Sequence, residues 1–238
     1  MSIAKYARFA SFQSYEAADL RSFELISGPQ RVCAKGQFLN HEGQSTPDVY
    51  RLRSGWLSCS ITTPEGDRQI TKIHLPGDLV GMPSMAREVA AETISALTDC
   101  VVDVLPLEAF SEIFRKHPRM AGMLFMWSQE ERVRLMHQLT LVGRVPSVKR
   151  MAAFLLTIVH RVRLSDPEIG DSFVLPLTQQ DLGDATGMSV VHANRALRIL
   201  RERGYASLQK GVFTVHDHAG LTGFAGSPAD AKRSTVWI

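Results

Sequence analysis

One stretch decides the fold of the C-terminal half: Leu177-Thr-Gln-Gln-Asp-Leu-Gly-Asp-Ala-Thr-Gly187-Met-Ser-Val-Val-His-Ala-Asn-Arg-Ala-Leu-Arg-Ile-Leu-Arg-Glu-Arg-Gly204. Thr178 can cap a short helix, and Asp181 stands three positions later, where a capping box places an acceptor side chain. Gly187 can adopt a left-handed turn without steric penalty. A second helix is predicted from about Val190, and Gly204 ends it.

The second helix is predicted to be amphipathic and basic. Its apolar positions fall at helical spacing, namely Ala193, Ala196, Leu197 and Leu200. Its other face carries Asn194, Arg195, Arg198 and Arg201. Two short helices around a glycine turn, the second of them basic, indicate a helix-turn-helix. An ordinary helical hairpin with a solvated face is the alternative, but Gly183 stands where two closely packed helices need a small residue.

The charge of the chain is unevenly distributed. The 238 residues carry a net charge of only +3. Residues 1–143 hold 15 Lys/Arg against 16 Asp/Glu, a net of −1, whereas residues 144–218 hold 10 against 7, a net of +3. The segment from Val190 to Arg203 has four Arg and one Glu. The positive charge therefore lies where a polyanion would bind.

The cysteine pattern predicts buried, reduced thiols. Cys33, Cys59 and Cys100 are widely spaced in apolar, strand-like contexts, with no CxxC and no N-terminal cluster to hold an iron–sulfur centre. A redox-sensing thiol is the alternative. The chain starts without a basic-then-apolar signal and has no run of 18 apolar residues, so a cytoplasmic protein without a membrane partner is expected.

The N-terminal half has the pattern of a β-protein. Residues 1–22 are predicted to form a helical lead-in. From Phe23 to Leu107 short alternating segments are separated by glycine turns at spacings of about 8–12 residues, which is typical of a barrel or jelly roll. The segment from Cys100 to Leu105 is predicted as the closing strand.

After Pro106 the apolar residues recur at the spacing of a helix. A short helix is predicted over 107–117 and a long one over 119–142, which is apolar on more than one side. A helix that packs on its own barrel and on a second subunit has this pattern, whereas a plain core helix is the alternative. The residues predicted to face the partner are Met120, Met123, Trp127 and Arg134.

The remaining segments complete a winged domain. Residues 143–146 are predicted as a hinge, Ser147 as the cap of a helix over 148–164, and residues 172–176 as a strand. Residues 205–208 and 212–215 are predicted to form a hairpin wing. The predicted organisation is a β-roll with its helical lead-in (1–107), a connecting and dimerisation helix (108–143), a winged helix-turn-helix (144–218) and a flexible tail (219–238).

This α+β arrangement of a β jelly roll, a long dimerisation helix and a C-terminal winged helix-turn-helix resembles the Crp/Fnr family of bacterial transcription regulators. The likeness extends from about Phe23 to His218. In the roll it rests on Gly36, Glu42-Gly43, Gly55, Glu65-Gly66 and Pro76-Gly77-Asp78-Leu-Val-Gly81. In the C-terminal half it rests on Leu177-Thr-Gln-Gln-Asp-Leu, Gly187-Met-Ser, Asn194-Arg195, Leu197, Leu200-Arg201 and Gly204.

The resemblance implies a homodimer that binds a near-palindromic site on double-stranded DNA and contacts RNA polymerase. Arg195 matches the family's recognition arginine, suited to a bidentate contact with guanine. The predicted base-reading residues are Val190, Val191, Asn194 and Arg195, and the two valines favour a thymine methyl over a hydrogen bond. The predicted phosphate contacts are Thr178, Gln179, Ser189, His192, Arg198 and Arg201.

The effector cassette departs from the family pattern. Family members that bind cyclic nucleotides use a Gly-Glu pair and a later Arg-Ser or Arg-Thr pair, a sound phosphate site. Here Gly77-Asp78 replaces the first pair, Ala90-Ala91 the second, and Glu92 would repel a phosphate. The candidate effector pocket comprises Gly77, Asp78, Leu79, Met82, Arg87 and Thr93. No cofactor is predicted, and a cyclic-nucleotide regulator with a non-standard phosphate site is the alternative.

The patterns argue against an enzyme. A cupin-type metalloenzyme would need an HxH and a carboxylate inside the barrel, and residues 23–107 lack that pair; His41 and His74 have no partner at ligand spacing. His216 and His218 form an HxH at the end of the wing instead. No nucleophile elbow, P-loop or dinucleotide fingerprint is present. Neither the effector, the operator nor the sign of regulation can be inferred, and constitutive DNA binding stays open.

Overall fold

A computed structural model describes residues 28–45 and 48–226. The predicted helical lead-in over 1–22 lies outside the described residues. The strands of the N-terminal half are β1 (Gln30–Cys33), β2 (Phe38–Asn40), β3 (Asp48–Ser54), β4 (Leu57–Thr62), β5 (Arg68–His74), β6 (Leu79–Val80), β7 (Thr93–Ala96) and β8 (Cys100–Pro106). A 3-10 helix, Met82–Ala86, lies between β6 and β7.

The C-terminal half is mostly helical. Its elements are α1 (Leu107–Lys116), α2 (Pro118–Arg144), α3 (Ser147–Ser165), β9 (Ser172–Val174), α4 (Gln179–Thr186), α5 (Val190–Glu202), β10 (Ala206–Gln209), β11 (Val212–Val215) and α6 (His218–Ala225). In the described part of the chain, no helix is both long enough and apolar enough to cross a membrane.

Two four-stranded sheets form the β-roll, with strand orders β1-β8-β3-β6 and β2-β7-β4-β5. The strand pairs β1–β8, β2–β7, β3–β6, β3–β8 and β4–β7 are antiparallel. Alternation along the strands turns one face of each sheet inward, and Leu52, Leu57 and Ile94 are fully buried there. The predicted jelly roll is confirmed.

A second apolar cluster packs the first helices on the roll. Met120, Met123 and Trp127 of α2 are at most 6% exposed and pack with Phe110 of α1 and Leu105 of β8. These three side chains, which were assigned to the dimer helix, are therefore buried in the core of their own chain, and their part in a dimer stays a prediction. Arg134, the fourth predicted residue, is two-thirds buried and paired with Glu131 at 3.0 Å.

The predicted hinge is shorter than the sequence suggested. Helix α2 continues through Gly143 to Arg144, and α3 begins at Ser147, so only Val145 and Pro146 separate the two helices. Pro146 stands at the N-cap of α3, and Ser147 is its first helical residue rather than its cap. Proline suits the start of a helix because it has no N–H to leave unpaired.

One compact unit contains the helix-turn-helix: it consists of Thr62–Lys72 together with residues 136–226. Its sheet has three strands in the order β10-β11-β9, so β9 extends the predicted hairpin wing. The tail predicted from residue 219 is wrong over α6, which is capped by Asp217 and packs Phe224 on Tyr205 at 5.4 Å. Residues 227–238 lie outside the described residues.

Candidate nucleic-acid interface

The first helix of the motif, α4, starts with the predicted capping box. The amide of Asp181 donates to Thr178 Oγ1 at 3.1 Å, and the amide of Thr178 donates to Asp181 Oδ2 at 2.9 Å. The Thr178 hydroxyl also donates to Asp181 Oδ2 at 2.6 Å. Two otherwise unpaired helix-start amides are thus satisfied. The single hydroxyl proton of Thr178 is used within the protein, which counts against its predicted phosphate contact.

The turn between the helices depends on two glycines. Gly187 has a φ of 62° and ends α4 in the left-handed region. The amide of Met188 donates to the carbonyl of Gly183 at 3.0 Å. A β-carbon on Gly183 would lie 2.6 Å from the Met188 carbonyl oxygen, so this position requires the small residue that the sequence predicted there.

The second helix, α5, buries one face and exposes the other. Ala193, Ala196 and Leu200 are at most 1% exposed. Ser189 caps the helix and also hydrogen-bonds His192 Nδ1 at 2.9 Å. The opposite face is open, with the exposed residues Val191, His192, Arg195, Arg198 and Arg201.

The four predicted base-reading residues are close together on this open face. Val191, Asn194 and Arg195 follow one another at helical spacing, so their side chains point from neighbouring positions of one face. Val191 is 76% exposed and Arg195 is exposed, whereas Val190 and Asn194 are half-buried. The face combines two apolar side chains with an amide and a forked cation.

The exposed charge on α5 is positive. Arg195, Arg198 and Arg201 lie on it with one acid, Glu202, whose contact with Arg198 is a loose 3.8 Å. An exposed pair of that kind contributes little to stability and leaves the guanidinium available. This face can therefore receive phosphates and guanine edges.

The wing ends in a tight turn. Lys210 and Gly211 both have positive φ values, 50° and 79°, which is the pattern of a type I′ hairpin turn. Lys210 is exposed at its tip. The predicted turn is thus observed between β10 and β11.

The predicted effector residues have separate environments. The buried carboxylate of Asp78 accepts a hydrogen bond from the Leu75 amide and lies 3.1 Å from His74 Nδ1. Leu79 belongs to the apolar cluster under α1 and α2, with Met82 packed against it. Arg87 is exposed, and Thr93 Oγ1 accepts the amide of Glu42 at 3.0 Å.

The positions that replace the family's Arg-Ser pair are built into the roll. Ala90 is 2% exposed, its amide donates to the Gln44 carbonyl at 2.7 Å, and its carbonyl accepts the amide of Gly43. Glu92 is buried next to them. The methyl group of Ala90 and the carboxylate of Glu92 cannot donate a hydrogen bond to a bound anion.

The three cysteines are free and buried. Cys33 and Cys100 are direct partners across β1 and β8. Burial raises the pKa of the Cys100 thiol. Over residues 28–45 and 48–226 the structure contains no group of three or more His, Cys, Asp or Glu side chains that could hold a metal ion. The expectation that the protein has no cofactor stays a prediction.

Two arginines that the sequence did not single out contact the motif. Arg150 of α3 donates to the carbonyl of Val142 at 2.6 Å and to that of Gly187 at 3.4 Å. Burial lowers the pKa of Arg150. Arg68, the first residue of β5, contacts α4. Both contacts are remote in sequence, so no local motif marks them.

Comparisons with known proteins agree with this geometry. A cyclic nucleotide-binding domain model matches residues 30–117, and a Crp-like helix-turn-helix domain model matches residues 149–224. The fumarate and nitrate reduction regulatory protein of Yersinia pestis is 28% identical over 212 residues, 88% of this chain and 84% of that protein. The transcriptional activator protein anr of Pseudomonas aeruginosa is 26% identical over 213 residues, 90% of this chain and 87% of that protein.

Solved structures share the fold. FixK2 from Bradyrhizobium japonicum superposes with a TM-score of 0.76 at 22% identity, covering 84% of this chain and 98% of FixK2. The two domain models match in the order and separation that the sequence motifs predicted, and the regulators above match along most of the chain. The chain therefore belongs to the Crp/Fnr family of DNA-binding transcription regulators, which are not enzymes.

Proposed function

We propose that the protein acts in the cytoplasm as a homodimer that reads a near-palindromic operator with α5 in the major groove. The observation that carries this proposal is the open basic face of α5, whose opposite face is anchored by Ala193, Ala196 and Leu200. A recognition helix needs one buried face to fix its position and one free face to meet base edges.

Three of the four predicted base-reading residues have a distinct role in this proposal. Arg195 makes a bidentate contact with guanine O6 and N7. Val191, which is 76% exposed, contacts a thymine methyl, and Asn194 can donate and accept at a base edge. Gln179, Ser189, His192, Arg198 and Arg201 contact phosphates and fix the register. We leave Thr178 out because its hydroxyl donates to Asp181.

The proposed dimer seam is the exposed strip of α2, defined as Phe125, Arg132, Met136 and Leu139. These residues follow one another at spacings of seven, four and three, which is the repeat of a coiled-coil seam. Phe125, Met136 and Leu139 are 52%, 59% and 75% exposed, and the apolar neighbours Val133 and Leu135 widen the strip. A large exposed apolar strip of this kind favours a second copy of the helix.

A dimer also fits the geometry of DNA. Two helix-turn-helix domains related by a two-fold axis contact half-sites that lie about 10 bp apart, which is one turn of the duplex. RNA polymerase is a further proposed partner, as the family relationship implies. A signal in the roll would shift the equilibrium between two subunit arrangements; constitutive binding is the alternative.

The test is selection of binding sites from random duplexes, followed by binding to the selected site over a salt series. We expect two inverted half-sites and an affinity that falls steeply with salt, because bound phosphates release counterions. The same protein on a scrambled duplex is the control. Equal affinity for both duplexes, or binding insensitive to salt, would contradict the proposal.

We further propose that the roll does not use the standard cyclic-nucleotide site, although its family model is named for that ligand. The supporting observations are the buried Ala90 and Glu92 and the engagement of Asp78 with Leu75 and His74. Thermal unfolding with saturating cyclic AMP or cyclic GMP should match that of the free protein. A rise of several degrees with either nucleotide, abolished by Arg87→Ala, would establish the non-standard site instead.

A further inference from the structure

The first two residues of β5, Arg68 and Gln69, contact the first helix of the helix-turn-helix. Arg68 donates through Nε to Asp184 Oδ2 and through Nη2 to Asp181 Oδ1, each at 2.6 Å. Gln69 donates through Nε2 to the backbone carbonyl of Asp184 at 2.5 Å. Arg68 and Gln69 belong, with the rest of Thr62–Lys72, to the same compact unit as α4 and α5. One forked guanidinium thus bridges two carboxylates more than 110 residues away in the sequence.

These two carboxylates need a cation. Asp181 and Asp184 are 7% and 8% exposed and lie three positions apart on a helix of eight residues. Buried carboxylates without a partner are strongly unfavourable, and two close together also repel each other. Burial alone would lower the pKa of Arg68, but hydrogen bonds and charges from Asp184 and Asp181 raise it overall, so the guanidinium remains charged.

The same carboxylates hold the end of the motif that faces DNA in the proposed function. Asp181 closes the capping box with Thr178, beside the exposed Gln179. Asp184 Oδ1 accepts a hydrogen bond from Gln180 at 2.6 Å. Gly183, between the two acids, contacts the turn that leads into α5. A displacement of α4 would therefore displace the start of the recognition helix.

We propose that Arg68 is a positioning residue for DNA binding, which clamps α4 and neutralises its two buried carboxylates. This inference rests on the proposed function. Without Arg68, the two carboxylates of α4 have no cation beside them, and their negative charges repel the phosphate backbone. The two hydrogen bonds from the guanidinium that hold α4 in its orientation are also lost.

The test compares Arg68→Ala with Arg163→Ala by affinity for the selected operator. Arg163 is a matched control: its side chain is 35% exposed, as is that of Arg68, and it forms a 2.6 Å ion pair with Asp171 in the same unit. Affinities are measured at a temperature where circular dichroism shows both variants folded. We expect Arg68→Ala to lose about tenfold or more, within the range of coupling between sites, and Arg163→Ala less than about twofold.

A second variant separates positioning from loss of charge. Asp184→Asn in the Arg68→Ala background should recover part of the lost affinity, because it removes one of the two unpaired charges. Should Arg68→Ala fail to fold, Arg68→Lys carries the test: lysine keeps the charge but cannot bridge both acids with a planar fork, so we expect an intermediate loss.

The outcomes distinguish this inference from the function on which it rests. If the wild-type protein does not bind duplex DNA, the proposed function fails, and the inference fails with it. Wild-type binding with an unchanged affinity for Arg68→Ala, or for Arg68→Lys where that variant is used, overturns the inference alone. Equal losses for Arg68→Ala and Arg163→Ala also overturn it, since they would reflect only the removal of one positive charge.

Discussion

Gly183 of α4 and Met188 of the turn approach so closely that a β-carbon on the glycine would lie 2.6 Å from the methionine carbonyl oxygen. A backbone oxygen cannot rotate away as a flexible side chain can. The close packing of the two helices of the motif therefore depends on the absence of one methyl group.

Gly183→Ala should destabilise the C-terminal unit by about 1–3 kcal/mol, the usual cost of overpacking, despite the better helix propensity of alanine. Gly223→Ala is the matched control, because Gly223 also lies in a helix but has open space around its β-position. That control should be neutral or stabilising by up to about 1 kcal/mol. Urea unfolding of both variants checks this, and equal stabilities would contradict it.

Arg195→Ala should weaken binding to the selected operator by about 1–3 kcal/mol and relax the preference at one base position. The reason is the loss of a bidentate contact with guanine, which no neighbouring side chain can replace. Binding to a set of single-base operator variants measures both effects.

Arg198→Ala provides the contrast on the same exposed face. It should weaken binding to all sequences alike and reduce the slope of affinity against salt by about one charge. If Arg195→Ala behaved in this uniform way, Arg195 would be a phosphate contact rather than a base-reading residue.

Met136→Glu combined with Leu139→Glu should convert the dimer into monomers and reduce operator affinity, because two charges would enter an apolar seam. Val32→Glu is the control, since Val32 is 74% exposed on β1 and is not one of the residues of the proposed seam. Sedimentation equilibrium gives the mass of each variant. A dimer that survives the double substitution would place the interface elsewhere.

Native Cys100 should react slowly with an aromatic disulfide reagent between pH 7 and pH 8.5. Burial raises the pKa of its thiol, so the reactive thiolate is scarcer than for an ordinary cysteine at the same pH. In urea all three cysteines should react rapidly. Fast modification of the folded protein would instead support the redox-sensing alternative.

The local features of the motif could be predicted from the sequence because they depend on neighbours within a few positions. The Thr178–Asp181 capping box, the left-handed Gly187 and the amphipathic pattern of α5 are all of this kind. The jelly roll and the wing could also be predicted, from the alternation of apolar and polar residues and from the turn residues between the strands. The exposed face of α5 was predictable for the same reason, since one buried stripe on a helix defines the opposite one.

Other features of the fold depended on which helix and sheet surfaces pack against each other in the tertiary structure. The sequence showed that α2 is apolar on more than one side, but only the tertiary structure assigned Met120, Met123 and Trp127 to the chain's own core and left Met136 and Leu139 exposed. Helix α6 was missed because its Gly- and Ala-rich sequence has weak periodicity, and packing on Tyr205 stabilises it.

The chain's sequence by itself determined a β-roll, a long helix and a winged helix-turn-helix with an arginine-rich recognition face, because caps, turns and periodicity act over a few residues. Only the tertiary structure joined Arg68 to Asp181 and Asp184, which lie 113 and 116 residues away. Such an ion pair leaves no local pattern: its partners are chosen by the folding of the whole chain, and its strength comes from the burial that folding creates.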